Sequence, residues 1–113
     1  MNTLGSEAEQ IAAGFLRQQG LVLIAKNFHC RFGEIDLVMR DGRTLVFVEV
    51  RLRRDSAYGG AGSSITLAKQ QKLVRTAQYY IQLHGDSACR FDAILMTRPD
   101  AQNVEWIRNA FEA

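Results

Sequence analysis

The chain has 113 residues, 47% hydrophobic and 23% charged, with nine glycines and one proline, the composition of one ordinary globular domain able to bury a core without staples. Cys30 and Cys89, the two cysteines, form no CxxC or Cys/His spacing, no apolar run approaches the ~20 residues of a membrane helix, and Met1 to Gln10 lacks the basic-then-apolar order of a signal peptide. A reduced cytoplasmic protein with no membrane association is therefore expected. Net charge is only +2, so no strong whole-molecule field draws the chain to a polyanion; 11 arginines against three lysines suit bidentate phosphate contacts, and codon composition explains the bias equally well.

Taken in chain order, Ser6-Glu7-Ala8-Glu9 has the form of a capping box, and Ala8, Ile11, Ala12, Phe15 and Leu16 follow at helical spacing before Gly20, which predicts a first helix over 6–19. Leu21 to Ala25 reads as a strand, the stretch His29 to Gly33 interrupts it, and Glu34 to Met39 reads as a second. Asp41-Gly42 is a hairpin signal leading into a third strand over 44–51, apolar on both faces until Glu49, as in a central strand covered on both sides. The glycine-rich stretch from Arg53 to Ser64 reads as a loop. A second helix is predicted over 65–84, capped by Ser64 and closed by Gly85. Phe91 to Thr97 and Val104 to Ile107 read as two further strands. The order is α-β-β-β-α-β-β, an α/β fold with a central mixed sheet flanked by helices, in a single domain over 1–113.

The hairpin gathers charge. With Asp41-Gly42 as a two-residue turn, Arg40 pairs with Arg43, Glu34 with Glu49 and Asp36 with Phe47, so Glu34, Asp36, Glu49 and Arg51 project from one face. Asp36 and Glu49 are then diagonal neighbours, ~7–8 Å apart by Cα. Two acids on a covered sheet disfavour each other's ionisation, and a divalent cation resolves the conflict. Mg²⁺ takes hard oxygen ligands, usually one or two carboxylates with waters and phosphate oxygens, and it activates water for attack on a phosphodiester. A structural ion pair of Glu49 with Arg51 or Arg31 is the competing reading.

Gly33-Glu34-Ile35-Asp36-Leu37, then Val46-Phe47-Val48-Glu49-Val50-Arg51 and Arg53, with Tyr58-Gly59, Lys69, Ala77, Arg90-Phe91-Asp92 and Asn109-Ala110-Phe111, resemble the YraN family of small bacterial proteins over nearly the whole chain. The resemblance implies a restriction-endonuclease-like fold, with an Asp and then a Glu-x-Lys on adjacent strands, similar to archaeal Holliday-junction resolvases. It implies Asp36 and Glu49 as ligands of Mg²⁺ or Mn²⁺, Glu9 as an additional acid, and Arg51 in the position of the motif lysine. It further implies a nuclease acting on DNA rather than RNA, on branched or structured forms, and a homodimer.

Arg51 departs from that pattern. Arginine stays protonated at any working pH, so Arg51 cannot act as a general base, although a fixed cation can orient water or neutralise charge on phosphorus oxygens. Glu9 reads equally as the return partner of the Ser6 cap or as an acid facing the sheet. Arg31 reads equally as a phosphate contact or as a salt-bridge partner of Glu34 or Glu49. Lys69, Lys72 and Arg75 recur every three residues, as a solvated helix face does. Close in sequence to Arg53 and Arg54, and together with Arg40 and Arg43, the same stripe can track a nucleic-acid backbone, with Tyr58 stacking on a base. Arg90 and Asp92 read as a buried pair. Two functions follow: a divalent-metal-dependent endonuclease, or a catalytically weakened nucleic-acid-binding module.

Overall fold

Helical spacing of Ala8, Ala12 and Leu16 puts small and branched apolar groups on one stripe, and all three are buried on the first helix, α1 (Thr3–Gln18). Strands β1 (Val22–Cys30), β2 (Gly33–Asp41) and β3 (Thr44–Leu52) follow, then helix α2 (Leu67–His84), strand β4 (Cys89–Met96), one turn of 3₁₀ helix (Ala101–Asn103) and strand β5 (Glu105–Phe111). The computed structural model describes residues 3–52 and 65–112, with side chains from Ser6 onward, so Arg53, Arg54 and Tyr58 lie outside the described residues. The strands form one five-stranded sheet in the order β1-β2-β3-β4-β5. Neighbours are antiparallel except β3 and β4, which are parallel. A parallel pair needs a crossover, and α2 supplies it. The expected α/β order and mixed sheet are thus present.

The two helices cover opposite faces. Leu37, Met39, Val46, Val48 and Ile94 pack with Ala8, Ala12 and Leu16 of α1, while Ile35, Val38, Phe47, Phe91 and Ala93 pack with Leu73, Ala77 and Tyr80 of α2. Burying residues from both faces of β3 explains why its run of Val46, Phe47 and Val48 carries no polar alternation.

Several boundaries differ from the sequence reading. The first helix begins at Thr3, so Ser6 lies within it and caps nothing. Thr66 caps α2, its hydroxyl accepting from the Lys69 N–H at 3.1 Å. Gly85 ends that helix as expected, at φ +109° with its N–H donated to the Ile81 carbonyl. Strand β1 continues through the predicted interruption to Cys30, leaving Arg31 and Phe32 as its turn to β2.

The β2–β3 register also differs, and in a way that matters. Asp41 pairs with Thr44, Arg40 with Leu45 and Leu37 with Val48, so Gly42 and Arg43, not Asp41 and Gly42, are the turn residues. Gly42 at φ +62° is the glycine that a type II′ turn requires at its first central position. The partner of every β2 residue moves by two, which keeps each side chain on its face while bringing Asp36 level with Glu49 instead of diagonal to it.

Side-chain alternation breaks at one point on β2: Ile35 packs with the α2 core and Leu37 with the α1 core. The same break occurs across the ladder on β1, where Ala25 and Phe28, an odd number apart, both pack on the α2 side. Between them Asn27 takes φ +52°, a left-handed conformation that asparagine tolerates better than most residues. Asp36 sits at this switch, and Glu34 falls on the α1 side of it rather than beside Glu49 as expected.

Candidate functional site

Glu49 follows the buried run of β3 and faces α2. It is 4% exposed, an expensive place for a carboxylate without counter-charge. Two cations supply it: Arg51 Nη1 lies 3.5 Å and Lys69 Nζ 3.6 Å from Glu49 Oε2. Arg51 shares its face by the two-residue period of the strand. Lys69 comes from the first turn of α2, so the crossover helix returns a lysine to the strand that it left.

Asp36 reaches the same place from β2. Its Oδ2 accepts the Val50 N–H at 2.8 Å, a backbone donor of β3 beyond the last paired position of the β2–β3 ladder. The side chain thus occupies the gap where the two strands part. Burial and then the neighbouring Glu49 push its pKa from 3.8 up to about 7; the Val50 N–H opposes the rise, while Glu34 and a shared hydrogen bond with Glu49 add to it. Protonated, Asp36 bonds to Glu49; ionised, the pair holds two negative charges in a poorly solvated cleft.

Glu9 approaches from α1. Burial and the charge of Asp36 raise its pKa, and a hydrogen bond from the Asn27 side chain and the charge of Lys26 partly offset this. Of its two sequence readings, the one facing the sheet is the arrangement present, and Asn27, whose left-handed turn aims it, is a partner that sequence reasoning missed. Among the described residues no group of three or more His, Cys, Asp and Glu side chains is arranged to hold a metal ion; the close acidic pair is Asp36 and Glu49, with the charge of Glu34 acting on Asp36 and the charge of Asp36 acting on Glu9.

The basic residues divide. Lys69 belongs to the acidic pair as well as to the helix stripe. Its place was hidden because the segment 53–64 separates it from β3 in sequence. Lys72 is exposed one turn further along α2, and Arg31 is exposed at the β1–β2 turn with its guanidinium 4.8 Å from the Phe32 ring centroid. Glu49 forms its ion pairs with Arg51 and Lys69, so the sequence reading of an Arg31–Glu49 bridge is not the pairing found.

A second buried acid shows what a structural carboxylate looks like in this fold. Asp92 on β4 is 1% exposed and accepts from Arg90 Nε at 3.1 Å, Trp106 Nε1 at 3.0 Å and the Asn109 N–H at 3.1 Å. Arg90 also bridges to Asp41 at 2.9 Å. The expected Arg90–Asp92 pair is present, and its acceptor oxygens are filled by donors.

No helix among the described residues is long and apolar enough to cross a membrane. A family model described as "Uncharacterised protein family UPF0102" matches residues 8–96. The chain is 56% identical to a UPF0102 protein of Methylobacillus flagellatus over 113 residues, the full length of both. It is 58% identical to a UPF0102 protein of Nitrosomonas europaea over 109 residues, 96% of this chain and 92% of the relative. A UPF0102 protein of Stutzerimonas stutzeri is 51% identical over 96% of this chain and 94% of its own length. Match and motifs agree, and the chain belongs to the UPF0102 family, the YraN family that its hairpin residues resemble.

Proposed function

We propose that this protein is a divalent-metal-dependent phosphodiester hydrolase acting on DNA, of restriction-endonuclease-like fold and similar to archaeal Holliday-junction resolvases. The observation that carries the reading is the pairing of Asp36 with Glu49 in the gap between β2 and β3, with Arg51 and Lys69 converging on Glu49. Two carboxyls held together, one of them raised to a pKa of about 7 by burial and by the other, form a hard-oxygen pair whose mutual repulsion a divalent cation relieves. Asp36 and Glu49 are the residues that would hold Mg²⁺ or Mn²⁺. Such an ion supplies Lewis-acid polarisation of the phosphodiester and activation of the attacking water.

The chain's own cations do the rest. As water adds to phosphorus and the ester P–O bond breaks, negative charge grows on the non-bridging oxygens, and the fixed charges of Arg51 and Lys69 neutralise it. Arg51 serves only as a charge; Lys69 brings to the same carboxylate the ammonium that position 51 lacks. Glu9, from α1, borders the pair and adds to its negative potential. The exposed cations Arg31 and Lys72, with Arg53 and Arg54, supply backbone contacts that fix the polymer without reading its sequence.

The test is cleavage of linear and branched DNA with and without Mn²⁺. Metal-dependent cleavage is expected from the wild type, abolished in Asp36→Ala and Glu49→Ala, and increased in Arg51→Lys. Absence of metal-dependent cleavage in all of these would leave the second reading, a nucleic-acid-binding module whose Glu49 is occupied by Arg51 and Lys69.

A further inference from the structure

Phe32 stands in the two-residue turn between β1 and β2, where turn chemistry calls for Gly, Asn or Asp and not for a large aromatic. It packs on Tyr79 of α2, centroids 6.0 Å apart at an interplanar angle of 64°, with the Arg31 guanidinium 4.8 Å from its own ring centroid. Between turn and helix lies an open cleft of about 280 Å³ lined by Phe32, Arg75, Gln78, Tyr79 and Gln82, close to the lower end, roughly 300 Å³, of small-ligand sites. Its lining has aromatic faces, amides able to pair with a base edge, and a guanidinium, with no acid.

The cleft is held in place and joined to the acidic pair. Gly33, next to Phe32, lies so close to α2 that a Cβ there would stand 3.0 Å from Thr76 Oγ1 and 3.7 Å from the Lys72 Cβ. Along α2, Lys69, Lys72, Thr76 and Tyr79 recur at spacings of three and four and so form one seam. The seam runs from Glu49, which Lys69 touches, to Tyr79 in the cleft, about 15 Å along the helix axis. That length spans roughly four stacked nucleotides.

We propose that this cleft binds an unpaired nucleotide of a DNA strand, its base stacking on Phe32 and Tyr79 while Lys72 and Arg75 hold the adjoining phosphates. The inference rests on the nucleic-acid reading above and narrows it to DNA with a single-stranded flank or branch beside the duplex, because bases inside a duplex do not offer their faces to aromatic side chains.

The experiment is fluorescence anisotropy with labelled oligonucleotides in EDTA, which needs no catalysis. The probes are a blunt duplex, the same duplex with a four-nucleotide flank, and that flank made abasic. Binding is expected to be about tenfold tighter to the flanked duplex than to the other two, the effect of about one stacked base. Phe32→Leu and Tyr79→Leu, which keep apolar bulk and remove the aromatic face, should each erase most of that preference while leaving blunt-duplex affinity unchanged. Tyr79→Phe should retain it. Equal affinity for the three probes, or a preference untouched in both leucine variants, overturns the proposal. If the preference and its loss in the leucine variants are found but no metal-dependent cleavage is, the cleft stands and the hydrolase reading falls. If no probe binds, the cleft proposal falls, and the cleavage assay with Mn²⁺ decides the hydrolase reading separately.

Discussion

Replacing Asp36 by asparagine removes a charge while keeping a carbonyl oxygen for the Val50 N–H that Asp36 Oδ2 accepts at 2.8 Å. In the native chain the Asp36 pKa is raised from its ordinary 3.8 to about 7, so between these values the folded state binds more protons than the unfolded one. Stability is therefore fully present below about pH 4 and is lost as pH rises through about 7. At 1.36 kcal/mol for each pH unit, the rise corresponds to a loss of up to about 4 kcal/mol across that window. The asparagine side chain has no proton to lose. Asp36→Asn should therefore lie within about 1 kcal/mol of the wild type near pH 4.5 and exceed it in stability at pH 8 by up to about 4 kcal/mol, as measured by urea unfolding followed by circular dichroism in EDTA. A divalent cation acts on the same window from the other side: at pH 8, millimolar Mn²⁺ should stabilise the wild type and leave Asp36→Asn nearly unmoved. A difference between variant and wild type that is the same at pH 4.5 and pH 8 would refute the reasoning, because it would show that Asp36 does not ionise against Glu49 and burial.

Asp92→Ala should destabilise by about 3–5 kcal/mol, because it leaves the Arg90 guanidinium buried with Asp41 as its remaining acidic partner and frees the Trp106 and Asn109 donors; a loss under about 1 kcal/mol in the same unfolding assay would contradict it. Gly33→Ala should cost about 1–3 kcal/mol, since Gly33 has φ +153° and an added Cβ meets Thr76 Oγ1 at 3.0 Å; wild-type stability in that variant would show that the turn is not held against α2. Glu9→Gln should raise stability at pH 8 relative to pH 4.5, in the direction of Asp36→Asn and by less, because burial and Asp36 raise the Glu9 pKa; an equal effect at both pH values would argue against it.

Much of the fold was legible because it rests on periodicity. Helical spacing of Ala8, Ala12 and Leu16, the glycines at 42 and 85, and the apolar run Val46 to Val48 each state a local preference that the packed structure keeps. The site was legible only in outline. Asp36 and Glu49 were brought together by a hairpin whose turn lies one residue further along than Asp41-Gly42 suggested, and the error was harmless because a shift of two in pairing preserves faces. Glu34 was misplaced because period-two counting assumes unbroken alternation, and nothing in Asn27 or Asp36 as letters announces that both strands change face there. Lys69 was seen as part of a helix stripe and not as a neighbour of Glu49, since contact across a long connection depends on packing that no local pattern encodes.

Two aspartates of this sheet, Asp92 buried and Asp36 half-buried, argue for where function lies. Each sits beside a left-handed asparagine on an adjoining edge strand, Asp36 by Asn27 and Asp92 by Asn109, and each takes a backbone N–H into its carboxylate, from Val50 and Asn109 respectively. The backbone device is the same; the counter-charge differs. Asp92 meets Arg90 and the Trp106 indole, so its negative charge is answered inside the protein, and nothing is left for a ligand to do. Asp36 meets Glu49, with Glu34 and Glu9 adding charge of the same sign. A fold that needed Asp36 only as a strand-separating acceptor would be served better by asparagine, which offers the Val50 N–H the same oxygen without the repulsion. On the proposed function, the charge that asparagine would lack is the one that a divalent cation from outside the chain meets.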